Sequence, residues 1–579
     1  MLIKRAPTVE QREINNKNNK ISVIFFVISV FVLYLYSFSN MWEVFNIPSP
    51  VHVFKEVLGF DVKNVYDDDG NFDSNIYINE GIFDSSQNLK YSNDTERLIF
   101  FSLICLSFLT TYLLPVKHKK LSLFIFASAI VTIIFNLKVI LGVIFMHLLI
   151  FAFLHIKSAK SSYVSLLIGF VFPIIFLDLS SIVNIFLYFS ISIFVSYFLF
   201  EKLIYPILDK NNKLSYFLRM ILLQSPIIAC FIIPFINNFS HNYLKLSFGI
   251  ILFFWQWERI TMYQIDYNDG AIPEDITLIN YLSMFINPSI ISTWNFGGSI
   301  SQGYTYTENN FLAKDKNILA IEGAKLSLIA LFYLIFGAYL MDSLSYYINY
   351  FFGIISYTDV YTLVFKYSEY QQITTATVLL STFIGQVKWF MFFGGLVHLR
   401  VGLWKIYGYN IEPYFNKPWL ATNLANFWVR YTYHYREFLF RVFYYPFFSR
   451  FFKKNKTLRV FMATFFTLTV GNFLWGHLTE EMFSKGFYLY NFKLIYTLPY
   501  FLLLGLGISL TQIYLLKTKK NNKRKPWTLD KMFLMDILCS YLTFQFYSLI
   551  HIFARPIPNG NFVMYAKLFL IGLGIHLPR

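Results

Sequence analysis

Arg430, His434 and Glu437 stand four and three residues apart, with Arg441 four further on, in a chain that is 56% hydrophobic. On a helix these positions share one face. A face carrying guanidinium, imidazole and carboxylate can line a polar funnel and hold an anionic head group or a phosphate. A juxtamembrane helix would lay the same groups against lipid phosphates, and the stripe alone does not choose between the two. Polar groups are expensive to keep at membrane depth, so those retained there are functional candidates. Further on, Trp475-Gly476-His477 sets another imidazole in an apolar run.

Proline frames the element that must present the first group. Pro418 follows Phe415-Asn416-Lys417, and proline suits the first turn of a helix, where its missing N–H costs nothing. The pattern predicts one long helix from Trp419 to Tyr445, ended by Pro446. Upstream, glycines recur at Gly394, Gly395, Gly402 and Gly408.

In order and spacing, residues 394–446 resemble the membrane-bound O-acyltransferase family, in particular its bacterial members that acetylate polysaccharide or D-alanylate teichoic acid. The residues that carry the resemblance are Gly394 or Gly395, Gly402-Leu403, Gly408-Tyr409, Tyr414-Phe415-Asn416 before Pro418-Trp419, Phe427-Trp428-Val429-Arg430-Tyr431 and Tyr444-Tyr445-Pro446-Phe447. The family's Asn-Phe pair is Tyr414-Phe415 here. The match covers about fifty residues, and residues 1–97 fall outside it.

The resemblance implies a histidine general base that takes the proton of an acceptor hydroxyl as it attacks an acyl donor. The family's Trp-His-Gly stands here as Trp475-Gly476-His477, so His477 is displaced by one residue. On an α-helix that shift changes the face unless the helix carries a bulge. The family's second histidine aligns with Thr432, and His434 lies two residues on. The implied site has His477 and His434 as the catalytic pair and Glu480 or Glu481 orienting His477. Trp428, Arg430, Trp475, Glu480 and Asn472 would bind substrate. No bound cofactor or metal is implied; an acyl donor, acyl-CoA or an acyl carrier, is the co-substrate. Three readings remain open: an O-acyltransferase, a relative that keeps the scaffold as a lipid- or glycan-binding or export protein, and an unrelated transporter or glycan polymerase.

Only 14% of the 579 residues are charged, and the apolar ones gather into long runs, which predicts an all-α polytopic membrane protein. The runs add up to roughly 13–14 transmembrane or re-entrant helices around a central funnel. Residues 1–20 form a basic cytoplasmic terminus, 21–38 an uncleaved signal anchor, and 39–97 an acidic extracytoplasmic loop. Asp67-Asp68-Asp69-Gly70 lacks the distal glutamate of a calcium loop, so a solvated surface is expected there. Membrane helices fill 98–257, re-entrant or cytoplasmic helices floor a cavity over 258–325, and the acyltransferase-like core takes 326–579. Glu258 and Arg259 could pair at the lip of that floor, and Lys388, mid-span, needs a partner or water.

The net charge of +16 sits in short connections between apolar runs, as the positive-inside rule requires of cytoplasmic loops, and not in a nucleic-acid-binding face. Cys105, Cys230 and Cys539 are far apart within apolar runs, with no disulfide framework and no metal spacing. The expected setting is the bacterial inner membrane. Membrane lipid, an acyl donor and a glycan or lipid-linked acceptor are the expected partners, with an accessory acyl-carrier or periplasmic protein possible on the same scheme.

Overall fold

A computed structural model describes residues 7–17, 20–39, 94–134, 137–155, 258–287, 300–369, 373–478, 496–518, 532–554 and 561–576. Among them the fold is all-α, with one isolated bridge between Phe311 and Tyr409. Among the described residues four helices are long and apolar enough to cross a membrane: Lys316–Leu334, Thr375–Ile406, Leu498–Thr518 and Phe533–Ile550. Helices also run over Lys20–Ser39, Asp94–Leu113, Val116–Ile134 and Leu137–His155. The spans expected around 163–177, 182–200, 216–236 and 243–257, most of the acidic loop, and Cys230 lie outside the described residues.

Two long helices form the axis of the described core. One begins at Lys316, where the Asp315 side chain accepts the backbone N–H groups of Asn317 and Ile318, an N-cap that satisfies two otherwise orphan donors. It passes through a π-helical turn at Phe332–Phe336 and continues to Phe352, so it starts before and ends beyond the span expected over 321–341. The other, Thr375–Ile406, runs past the expected end at 398. Small residues let the two backbones touch. A Cβ on Gly323 would lie 2.6 Å from the Gly402 carbonyl oxygen, and one on Gly402 would lie 2.8 Å from that of Gly323. Gly402, and Gly395 against Leu334 and the Ala330 carbonyl, are therefore contact points between helices. Lys388 finds its partner across this interface, 2.8 Å from Asp342.

The segment expected to floor a cavity is built of short helices: residues 258–268, Leu278–Phe285 and Tyr304–Asn310. Arg259 donates to the carbonyls of Met284 and Phe285, and Glu258 accepts from Ser301. Asp266 is buried; one carboxylate oxygen accepts the Thr305 N–H at 2.9 Å and the other meets Arg441 at 2.7 Å. That pair ties the segment to the signature region.

The helix predicted from Trp419 to Tyr445 is not one helix. A 3-10 turn at Pro418–Leu420 and the Asn423-capped helix Leu424–Arg430 are followed by a break at Tyr431-Thr432. Thr432 takes φ +47°, the left-handed region, and a new helix runs Tyr433–Leu439. Pro446 does not end it. The helix widens to π over Phe440–Tyr444, where the Tyr445 N–H reaches back to Phe440, and α-helix resumes over Tyr445–Arg450 with Pro446 in its first turn. The changed register absorbs the hydrogen bond that proline cannot donate.

Candidate functional site

The loop Glu412–Asn416 lies along the turn that joins the two signature helices. Asn416 N–H donates to the Arg430 carbonyl at 2.9 Å, and Tyr433 N–H to that of Tyr414 at 3.0 Å. These bonds hold the backbone where Thr432 reverses it. Phe415 stacks on Tyr431 at 5.2 Å, and Tyr431 on Phe427 at 5.5 Å. Phe427 meets Tyr547 at 4.4 Å, carrying the aromatic column into the Phe533–Ile550 helix.

The break at Thr432 undoes the expected polar stripe. Arg430 turns to the side chain of Asn426 at 3.1 Å and the carbonyl of Asn416 at 3.3 Å. Glu437 pairs with Arg436 at 2.9 Å, and Arg441 with Asp266. The four residues do not share one face, because a single left-handed residue ends the helical phase that relates them. Trp428 and Arg430 stay on the helix before the break, and His434 on the helix after it.

His434 is fully buried. Its Nε2 lies 2.9 Å from the Glu412 carbonyl, which can only accept, so that nitrogen carries the proton. Nδ1 then holds the lone pair, and the Gln302 amide, 3.3 Å away, donates to it. Tyr306 closes the pocket edge-on, its hydroxyl accepting the Glu412 N–H at 3.0 Å. Burial pushes the His434 pKa down to about 4; the hydrogen bond to the Glu412 carbonyl opposes this, and Arg436 and Arg400 reinforce it. A neutral imidazole with both nitrogens engaged ties the cavity-floor segment to the signature turn, and its lone pair is already used.

Lys456–Phe466 leads into a second π-helical stretch, Thr467–Leu478, which bears Asn472, Trp475 and His477. It packs on the first: a Cβ on Gly471 would lie 2.9 Å from the Phe443 ring. Asn472 is half-buried. The side chains of Trp475 and His477, and Glu480 and Glu481 entirely, lie outside the described residues.

Sequence reasoning passed over His551. It follows the Phe533–Ile550 helix, buried between Tyr500 and Tyr547 with ring centroids 4.6 and 4.5 Å away. Its Nδ1 donates to the Tyr547 carbonyl at 3.0 Å, so in the neutral ring Nε2 holds the lone pair. Tyr500 adjoins Phe501, which meets Phe473 of the π-helical stretch edge-on at 5.5 Å. The sequence offered only a lone histidine at the end of an apolar run, with no spacing to link it to residues 120 positions away. No protein-family model matches this chain, and no curated protein is significantly similar to it.

Proposed function

We propose that the chain is a membrane O-acyltransferase. It would move an acyl group, such as acetyl, from a donor entering on the cytoplasmic side to a hydroxyl of an extracytoplasmic glycan or lipid-linked acceptor. On this reading the full chain forms an acyltransferase-like funnel of roughly 13–14 helices in the bacterial inner membrane, with the N-terminus in the cytoplasm. His477 is the general base.

The observation that carries this reading is the contact between the two segments in which the resemblance lies. The π-helical stretch that bears His477 rests on the π-helical turn ahead of Pro446, at Gly471 and Phe443. π-Helical turns collect at functional sites. On this reading the altered register of Thr467–Leu478 offsets the one-residue displacement of His477 relative to the family's order. Trp428 and Arg430 then bind substrate at the signature turn, and Asn472, Trp475 and Glu480 do so from the second element.

One observation favours a second reading, a scaffold that binds or exports a lipid or glycan without catalysis. His434, the other histidine of the implied pair, has its lone pair committed to Gln302. The two readings separate in cells that lack the native gene and express His477→Ala or His434→Ala, with base-released acetate from the envelope as the readout. The enzyme reading expects His477→Ala to abolish envelope acylation, and His434→Ala to reduce it through loss of the turn's support. Wild-type acylation in both variants would sink it.

A further inference from the structure

The turn that joins Tyr445–Arg450 to Lys456–Phe466 gathers cations and aromatic rings. Arg450, Lys453, Lys454, Lys456 and Arg459 fall within ten residues, and the sequence has no Asp or Glu from 438 to 479. The three lysines are exposed, and Asn455 between them caps the second helix. Lys517 comes to the same end of the described core. Thr464 bonds Gln512 at 2.6 Å, and a Cβ on Gly505 would meet Thr469 at 2.7 Å, so Lys456–Phe466 runs antiparallel to Leu498–Thr518. That second stretch also lacks acids, from 482 to 529. The field of the turn is positive, and no acid in either stretch offsets it.

The rings are ordered with one exception. Phe451 stacks on Phe447 at 4.5 Å, Phe447 stacks on Phe466 at 4.8 Å, and Arg459 covers the Phe448 ring at 3.9 Å. Phe452 takes φ +50°, the left-handed region, and stays 41% exposed. A phenylalanine rarely adopts that backbone. Here it accompanies a ring left outside the stack and next in sequence to Lys453 and Lys454, and strain of this kind is a pointer to use.

Exposed cations around an exposed ring, at the end of an apolar helix pair, fit one partner. Leu498–Thr518 is long and apolar enough to cross a membrane, so its Lys517 end would stand where the headgroups of a bilayer begin. Each lysine near an anionic leaflet strengthens attraction about fivefold, and the layer just below the headgroups accepts an aromatic ring. Free phosphate would match the charge and leave the ring unexplained.

We propose that the turn docks on an anionic phospholipid surface. Lys453, Lys454 and Lys456 meet headgroup phosphates while Phe452 enters the layer beneath them. The proposal is independent of the acyl-transfer reading.

Phe452→Trp supplies the probe, its added emission read as the difference from the wild-type chain. The full chain is reconstituted in mixed vesicles of phosphatidylcholine and phosphatidylglycerol, with bromine near the headgroup end of the acyl chains of one lipid or the other. At equal content, brominated phosphatidylglycerol should quench the added emission more than brominated phosphatidylcholine does. That preference should fall about fivefold for each of Lys453→Gln, Lys454→Gln and Lys456→Gln. The triple variant should keep the wild-type thermal midpoint, because exposed charges contribute little to stability. Inorganic phosphate at matched ionic strength should leave the preference unchanged, whereas added salt should weaken it. Equal quenching by the two lipids overturns the proposal, as does quenching by neither, which would put the ring in water or under protein. A preference that survives the triple substitution, or that inorganic phosphate abolishes, overturns it as well.

Discussion

A histidine nitrogen that faces a carbonyl oxygen must carry the proton, and this rule separates His434 from His551. His434 gives its proton to Glu412 through Nε2 and takes one from Gln302 at Nδ1. His551 gives its proton to Tyr547 through Nδ1, so any group that meets Nε2 must donate to it. The buried His434 also makes stability depend on pH. Its folded pKa of about 4 lies below the ordinary value of 6.5, so the unfolded chain binds a proton that the folded chain refuses between those limits. Stability from this group is fully present above about pH 6.5 and is lost as pH falls toward about 4, by about 3 kcal/mol. Thermal midpoints in detergent at pH 7.5 and pH 5 should therefore fall more for wild type than for His434→Gln, which cannot titrate. Equal falls would show that His434 is not held neutral.

At the scale of elements, what the sequence makes legible is governed by local rules. Apolar runs announce the Thr375–Ile406, Leu498–Thr518 and Phe533–Ile550 helices, and Lys388 in mid-span announces a need for a partner or water, which Asp342 meets at 2.8 Å. The break at Thr432 was not legible, because nothing local forces a threonine into the left-handed region. The bonds from Asn416 to Arg430 and from Tyr433 to Tyr414 impose it from another loop. Pro446 misleads for a related reason, since the π turn before it removes the need for its N–H. The glycines were legible as a motif but not as a mechanism, which lies in the crossing of two helices. Gly402→Ala tests that mechanism. Its Cβ would meet the Gly323 carbonyl oxygen and the Ser327 hydroxyl, both at 2.8 Å. Neither backbone can yield without parting the pair, so the substitution should cost about 1–3 kcal/mol, read as a lower thermal midpoint. No change in midpoint would mean that the helices separate freely there.

Across the whole molecule, an N-terminal strap ties distant parts of the chain to the site. The short helix Val9–Asn15 lies against the segment around Tyr304–Asn310: Arg12 meets the Glu308 carboxylate at 3.3 Å and its carbonyl at 2.8 Å, and Asn15 donates to the Leu312 carbonyl at 2.8 Å. Lys120, from the Val116–Ile134 helix, bonds the other oxygen of the same carboxylate, and both cations lie over the Phe311 ring. Glu308 thus joins three stretches of sequence, and it sits on the helix that carries Tyr306, close to Gln302. Its ion pairs are largely shielded, with side-chain exposures of 11–14%, so removing it strands two cations. Glu308→Ala should cost about 3 kcal/mol. Because the segment whose Gln302 holds His434 is fastened here, the loss should not stay local: amide deuterium exchange should rise through residues 300–312 and again at 412–416, where Tyr306 binds Glu412. Faster exchange confined to the N-terminal helix would mean that the strap is an ornament of the terminus, mechanically separate from the signature turn.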